Sequence, residues 1–249
     1  MSRPLPRELE VLATADITPH MRRITLGGSG MATFPQEDQG GAYIKLVFPQ
    51  QDGAKPLLRT YTVRNQREGE IDVDFVLHDA PGPASRWATQ AGVGDRILVG
   101  GPGPRKLINS DGDWCLFVGD MTALPAISVN LELLPADTRG YAVLEVLHEE
   151  DIQALRAPQN LQLVWVVNPD PDPEGRVLAE RIAALPWLEG SPAVWAASEF
   201  NSMRELRRCF REVRPVEKKL RYISSYWKMG ISEDQHKIDK KRDAELNAD

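Results

Sequence analysis

The sequence predicts a β plus α/β protein, with a small antiparallel β-barrel at the N-terminus and a parallel-sheet α/β domain after it. Two observations predict this. Short alternating runs punctuated by Gly and Pro fill the first hundred residues, as in antiparallel strands joined by turns. Beyond about residue 108 the strands become near-continuous apolar runs separated by stretches of helical spacing, as in a sheet buried on both faces. The chain has 249 residues, 42% apolar and 27% charged, with 19 Gly and 19 Pro. That excludes disordered and collagen-like classes and allows one large domain or two modest ones.

In chain order, Tyr43-Ile44-Lys45-Leu46-Val47-Phe48 reads as a strand ending at Pro49, and Arg59-Thr60-Tyr61-Thr62-Val63-Arg64 as one ending at Asn65. Residues 71–77 alternate strictly until Asp79, and residues 83–91 make a short helix closed by Gly92. Strands at this spacing point to a small barrel over residues 1–108. Asn109-Ser110-Asp111-Gly112-Asp113 reads as a linker, opening a second domain over 109–249. Its buried strands are expected at 116–118, 142–147, 161–167 and 193–197, and its helices at 124–134, 177–185 and 202–213. From Tyr226 onward a polar helix is expected, with a tail from Lys240 that offers little to bury and frays.

Cys115 and Cys209 lie 94 positions apart in no CxxC or Cys-His pattern, which removes iron–sulfur, zinc-ribbon and disulfide-scaffold readings. Met1-Ser2-Arg3-Pro4 leads into no apolar h-region, and nowhere do about 18 apolar residues run together, so a soluble, cytoplasmic chain without membrane association is expected. The formal net charge of −6 is unevenly spread: residues 1–203 carry 17 basic and 27 acidic side chains, whereas 204–242 carry 13 and 6. Arg204, Arg207, Arg208, Arg211 and Arg214 recur at helical spacing, opposite Met203, Leu206, Phe210 and Val213. This basic face reads either as a solvated helix surface or as a guide for an anionic substrate. A pI near 5.4 and the lack of any recognition motif argue against nucleic acid.

The chemistry-bearing residues follow in order. On the Arg59-Thr60-Tyr61-Thr62 strand, alternation puts Arg59 and Tyr61 on one face. An arginine forks onto a pyrophosphate, a tyrosine ring stacks on an isoalloxazine and a threonine bonds a flavin ring nitrogen. After the 71–77 strand, His78-Asp79-Ala80-Pro81-Gly82-Pro83-Ala84-Ser85 makes a turn opening a helix, whose free N–H groups and dipole form an anion site to which Ser85 adds a hydroxyl. His78 reads as a strand-end histidine or a flavin contact, and Trp87 as barrel-capping core or a stacking platform. Gly119-Asp120-Met121-Thr122-Ala123-Leu124-Pro125 follows the first buried strand, where an open α/β sheet holds its ligand.

Taken together, Arg59-Thr60-Tyr61-Thr62, Asp74-Phe75-Val76-Leu77-His78, Gly82-Pro83-Ala84-Ser85-Arg86-Trp87, Gly94-Asp95, Gly100-Gly101-Pro102, the Gly119 loop and Tyr226-Trp227-Lys228-Met229-Gly230 resemble the siderophore-interacting proteins, FAD-containing ferric-siderophore reductases of the ferredoxin-reductase-like superfamily. The resemblance spans roughly residues 5–230. It implies a noncovalent FAD in a Greek-key barrel, with contacts at Arg59, Tyr61, Thr62, Asp74, Phe75, His78, Gly82, Ala84, Ser85 and Trp87. It implies a nicotinamide dinucleotide beside Asp120, Thr122, Ala123 and Glu199, where Ser198 replaces the family's usual glycine. A substrate cleft beside the flavin, between the domains, is also implied. Lys45, Arg105, Lys106 and Lys228 are the candidates to attract an anionic ferric chelate there. The family often has arginine at Lys228, so the bidentate fork is lost.

His148-Glu149-Glu150-Asp151 follows the second sheet strand, with no arginine or lysine until Arg156. Carboxylates there repel a 2′-phosphate, which predicts NADH over NADPH, although Arg204 and Arg207 are alternative phosphate partners. No nucleophile, acid–base triad or resident metal is expected, iron being held only within the siderophore. The expected activity is reduction of chelated Fe(III) to Fe(II), which hard oxygen ligands hold less well. Two alternatives stay open: a ferric-chelate binding protein with little turnover, and a flavin reductase driven by ferredoxin or feeding another enzyme. A monomer is expected.

Overall fold

The structure is a computed structural model and describes residues 5–50, 54–78 and 82–246. It divides into two compact units: the first runs to Lys106 and includes Ser128–Asn130 and Gln153–Leu155, and the second comprises the remainder from Leu107.

The first unit is one antiparallel sheet of seven strands. They are β1 (Arg7–Thr18), β2 (Met21–Gly27), β3 (Tyr43–Phe48), β4 (Leu57–Thr62), β5 (Asn65–Arg67), β6 (Glu70–Val76) and β7 (Arg96–Gly100), with α1 (Pro83–Gln90) between the last two. The strand order is β4-β3-β7-β1-β2-β6-β5. β4 and β5 are the two edges of this order, yet only Val63 and Arg64 separate them in the chain, so the sheet has to curl into a barrel. Val63 N donates to Ala42 O at 2.8 Å and Arg64 N to Asp72 O at 2.8 Å, closing the seam. Tyr43–Phe48 and the 83–90 helix were legible in the sequence, whereas β1, β2, β5 and β7 were not. Alternation fills the interior with Leu9, Val11, Ile24, Leu26, Ile44, Leu46, Ile71, Val73, Phe75, Ile97 and Val99.

The polar side of β6 is buried too. Arg23 Nε and Nη2 donate to the two Asp74 carboxylate oxygens at 2.6 and 2.8 Å. Asp72 accepts from Arg67, Thr25 and Asn65. Those donors overcome its burial and hold its carboxyl down to about 2.

The second unit is a five-stranded parallel sheet of β8 (Trp114–Gly119), β9 (Gly140–Val146), β10 (Leu161–Val167), β11 (Pro192–Glu199) and β12 (Arg221–Trp227), in the order β10-β9-β8-β11-β12. Its helices are α2 (Leu124–Leu133), α3 (Val177–Ala183), α4 (Phe200–Arg208) and α5 (Glu233–Leu246). Leu178 and Ile182 of α3 and Leu206 of α4 pack with Leu116, Val118, Val143 and Val194 in one core cluster. The chain winds from β8 outward to β10, then crosses back to β11 on the other side of β8, so the order reverses between β8 and β11.

Two expectations are corrected here. Tyr226 and Trp227 do not start a helix; they finish β12, and α5 begins only at Glu233. Arg221-Tyr-Ile-Ser-Ser-Tyr-Trp is too polar to read as an interior strand because β12 is an edge strand. Nor does α5 fray at Lys240. Lys240 Nζ donates to Ser224 Oγ at 2.7 Å and Ser225 O at 2.8 Å, and His236 and Asp243 are buried. Residues 247–249, the end of the expected tail, lie outside the described residues. The expected helix at 202–213 is α4 followed by a π turn, Cys209–Val213.

Candidate functional site

In the first unit, Arg59 and Tyr61 lie opposite Leu46 and Ile44 on the core-side face of β4, while Thr60 and Thr62 lie opposite Lys45 and Tyr43 on the other. The Tyr61 ring sits 4.4 Å from that of Phe75 (centroid to centroid), Phe75 5.7 Å from Trp87, and Trp87 6.4 Å from Phe48. One aromatic chain thus joins β4, β6, α1 and β3, and Trp87 belongs to the edge of the barrel core.

α1 starts from Gly82, with Pro83 as its first residue and no side chain capping it. Its first N–H groups therefore have no intrahelical partner. A Cβ at Gly82 would meet nothing within 4 Å, so open space lies at the helix start. Ser85, in the first turn, is only 5% exposed and its hydroxyl has no hydrogen-bond partner among the described residues. A buried unpaired hydroxyl costs about 1–3 kcal/mol, and an anion at this helix start would satisfy it. These residues fit the pyrophosphate of a flavin dinucleotide.

The other flavin-side candidates separate. Phe75 is core, and His78 is exposed just past β6. Ala84 is buried in the first turn of α1. Asp74 has both oxygens committed to Arg23, so it serves the barrel wall and is withdrawn as a flavin contact. Asp79, Ala80 and Pro81 of the predicted turn lie outside the described residues.

In the second unit, reversal of strand order makes the carboxyl ends of β8 and β11 a ligand-binding switch point. Gly119 closes β8 there; a Cβ on it would stand 2.7 Å from Ala123 Cβ and 2.9 Å from Ala197 O, so only glycine allows this approach. Asp120 Oδ1 accepts from Thr122 N at 2.9 Å and Thr122 Oγ1 at 2.5 Å. Its Oδ2 accepts from Glu199 N and Trp227 Nε1, each at 2.8 Å. One carboxylate therefore ties the ends of β8, β11 and β12. Burial pushes its pKa up against those donors, but three N–H groups cannot reverse direction, and they hold the anion. Glu199 caps α4, accepting from Asn201 N at 2.5 Å and Ser202 N at 3.2 Å, and takes Met229 N at 3.1 Å.

Asp120, Thr122 and Glu199 are thus brought together, but as a network that shapes the rim. Ala123 is fully buried and its N–H is bonded to Asp120 O, so it is a hinge of the loop and offers no contact. Sequence reasoning missed Trp227, Glu145 and Asn168. Glu145 accepts from Asn168 Nδ2 at 2.7 Å. Burial, with the Asp120 and Glu199 charges adding, pushes Glu145 up to about 7 despite that bond. Its signal was a lone acid inside the apolar run 142–147.

The cationic candidates divide. Lys45 Nζ donates to Thr60 Oγ1 and lies 5.6 Å from the Tyr43 ring centroid. Arg105 makes a loose 3.5 Å pair with Asp38. Lys106 is exposed, and its carbonyl accepts from Asn130 Nδ2 at 3.2 Å. Lys228 is ion-paired with Asp239 of α5 and sits over the Phe200 ring at 4.7 Å, so its charge is spent within the domain. Much of the basic segment is used likewise. Arg207 and Arg204 pair with Asp243 at 2.6 and 3.5 Å, Arg208 pairs with Glu205, and Arg214 covers Trp187 while donating to the carbonyls of Ala183 and Leu185. Among the described residues, no group of three or more His, Cys, Asp or Glu is arranged to hold a metal ion, and no helix is long and apolar enough to cross a membrane.

The family model for the Siderophore-interacting protein matches residues 112–230, and that for the Siderophore-interacting FAD-binding domain matches 10–57 and 50–106. The chain is 34% identical over 258 residues to the ferric vibriobactin reductase ViuB of Vibrio cholerae, covering 95% of this chain and 94% of that one. It is 26% identical to the NADPH-dependent ferric-chelate reductase of Escherichia coli, covering 89% and 92%. The solved siderophore-interacting protein SipS from Aeromonas hydrophila superposes with a TM-score of 0.85 at 35% identity, covering 97% of this chain and 98% of that one. With the two family models together matching residues 10–106 and 112–230, the chain belongs to the siderophore-interacting protein family.

Proposed function

We propose that this chain is an FAD-dependent ferric-siderophore reductase that takes electrons from NADH in preference to NADPH and releases iron as Fe(II). The observation that carries the reading is the buried, unpaired Ser85 hydroxyl in the first turn of α1, next to open space at Gly82. It supports FAD in a domain whose family model is the Siderophore-interacting FAD-binding domain. FAD held there would supply two-electron hydride acceptance and one-electron release, so that one NADH would serve two Fe(III) centres.

The chain's own contribution is binding and orientation. Arg59 and the α1 N-terminus hold the pyrophosphate, with Ser85 donating to it. Tyr61, backed by Phe75, presents a ring to the flavin, and Thr62 offers its hydroxyl at the end of β4. Asp120 fixes the loop and strand ends on which the nicotinamide dinucleotide rests. Lys45, Arg105 and Lys106 supply positive potential for an anionic chelate.

NADH is favoured because the exit of β9 carries His148, Glu149, Glu150 and Asp151, with the two glutamates exposed and Glu145 just before them. Asp151 is itself buried and accepts from His148 N, so Glu149 and Glu150 carry the repulsion toward a 2′-phosphate. The reaction is assigned to the cytoplasm and to a monomer. Comparing kcat/KM for the two dinucleotides with a ferric siderophore tests the donor: the proposal expects at least a tenfold advantage for NADH, and an advantage for NADPH refutes it.

A further inference from the structure

Glu145 stands apart at the strand-end rim of the second unit. Gly119 pairs with Leu144 on one side and with Ala197 on the other, so Asp120, Glu145 and Ser198 are level at the carboxyl ends of β8, β9 and β11, with Glu199 one residue beyond. Sheet topology, independently of these acids, makes this edge the place for a ligand. The rim also holds the Ser202 hydroxyl, 5% exposed and, among the described residues, without a partner in the first turn of α4.

The three carboxylates are not equivalent. Asp120 accepts four hydrogen bonds and Glu199 three, all but one from N–H groups, so both carboxylates are well compensated by donors. Glu145 accepts one, from a neutral amide, Asn168 Nδ2. β10 offers it no ionisable side chain, and α3, packed on β9, carries Glu180 and Arg181. The charges that act on Glu145 are those of Asp120 and Glu199, both negative. His148, on the exit of the same strand, is exposed.

We infer that Glu145, the carboxyl with the fewest hydrogen-bond donors of these three at the rim, is a specificity-determining residue of the dinucleotide subsite, whose gain or loss of a proton sets how strongly the anionic pyrophosphate of the dinucleotide is bound. The inference rests on the nicotinamide reading above. With Glu145 neutral, the rim presents two carboxylates that are internally compensated by their donors; with Glu145 ionised, a third and weakly compensated charge faces the ligand. The change falls near neutrality, since burial and its two acidic neighbours push Glu145 up to about 7.

The test is calorimetric titration of the flavin-loaded full chain with the non-reducing analogue 1,4,5,6-tetrahydro-NADH at pH 6, 7 and 8. In the wild type, Kd should rise about three- to tenfold across this range as one charge is added near the ligand. Glu145→Gln keeps the acceptor for Asn168 and should hold the pH 6 affinity throughout. Asn168→Leu, which removes the donor, should move the midpoint above that of the wild type. A wild-type Kd flat with pH overturns the inference. So does a step that survives in Glu145→Gln. Failure of the analogue to bind at any pH removes the nicotinamide reading itself, and with it this inference; binding without a step removes only the inference.

Discussion

Removing the Ser85 hydroxyl should move the stability of the flavin-free protein and its flavin affinity in opposite directions. The side chain is 5% exposed and its oxygen has no partner among the described residues. Burying an unpaired hydroxyl costs about 1–3 kcal/mol, and alanine is a better helix former than serine by about 0.5 kcal/mol. Ser85→Ala should therefore stabilise the flavin-free protein by about 1–2 kcal/mol, a rise in Tm of about 3–6 °C for a chain of this size. With flavin bound, the same oxygen faces a charged group, and such a hydrogen bond is worth about 1.5–3 kcal/mol. The FAD Kd should accordingly rise about 10- to 100-fold. Differential scanning fluorimetry of deflavinated protein gives the first quantity, and titration with FAD, followed by quenching of flavin fluorescence, gives the second. A lower Tm together with an unchanged Kd would refute the reasoning, because the hydroxyl would then serve the fold.

The other expectations are more local. Arg23→Ala leaves the Asp74 carboxylate buried and unpaired, so it should cost about 3 kcal/mol in urea unfolding, whereas the milder Asp74→Asn should lower Tm without changing FAD affinity. Lys45→Ala and Arg105→Ala should each raise KM for an anionic ferric chelate about three- to tenfold with little change in kcat, an effect that salt suppresses; Lys228→Ala should change KM less than about twofold, because Asp239 already neutralises that charge. His236 is bonded to Ser225 Oγ at 2.8 Å, and burial first, then the Lys240 charge, pushes its pKa down to about 4. A depressed folded pKa gives stability that is full above the unfolded value and lost as pH falls through the folded one. Protection factors for hydrogen exchange in α5, which take out the intrinsic pH dependence of amide exchange, should therefore fall between pH 6.5 and pH 4, by an amount that corresponds to about 1–3 kcal/mol, and His236→Asn should flatten that dependence.

How much of this was legible in the sequence depended on whether local pattern and tertiary role agreed. Residues 43–48 end at Pro49, 161–167 form a near-continuous apolar run and the 83–91 helix is closed by Gly92, and their predicted bounds match the structure to within a residue. β1, β2 and β7 carry their buried residues between charged ones in long or short ribbons that read as loops, and β12 is a serine-containing edge. The candidates from Gly82 to Trp87 lie together in the structure because they are consecutive residues at one helix start. Asp74 was misassigned for a physical reason: nothing local tells that Arg23, 51 positions away, claims both its oxygens. The same holds for Lys228 and for the basic stretch around it, whose acidic partners, Asp239 and Asp243, lie on α5, read in the sequence as a polar helix with a fraying tail from Lys240. Trp227 and Glu145 become visible only once parallel pairing sets the ends of β8, β9, β11 and β12 side by side.

The most direct test of the central claim is an anaerobic single assay. The purified chain, loaded with FAD, is mixed with NADH and a ferric siderophore, and Fe(II) is trapped with ferrozine as NADH oxidation is followed. The account predicts two trapped Fe(II) per NADH oxidised, in a reaction that needs FAD and that Ser85→Ala weakens at limiting flavin. Chelate binding with no Fe(II) above the flavin-free control would contradict it.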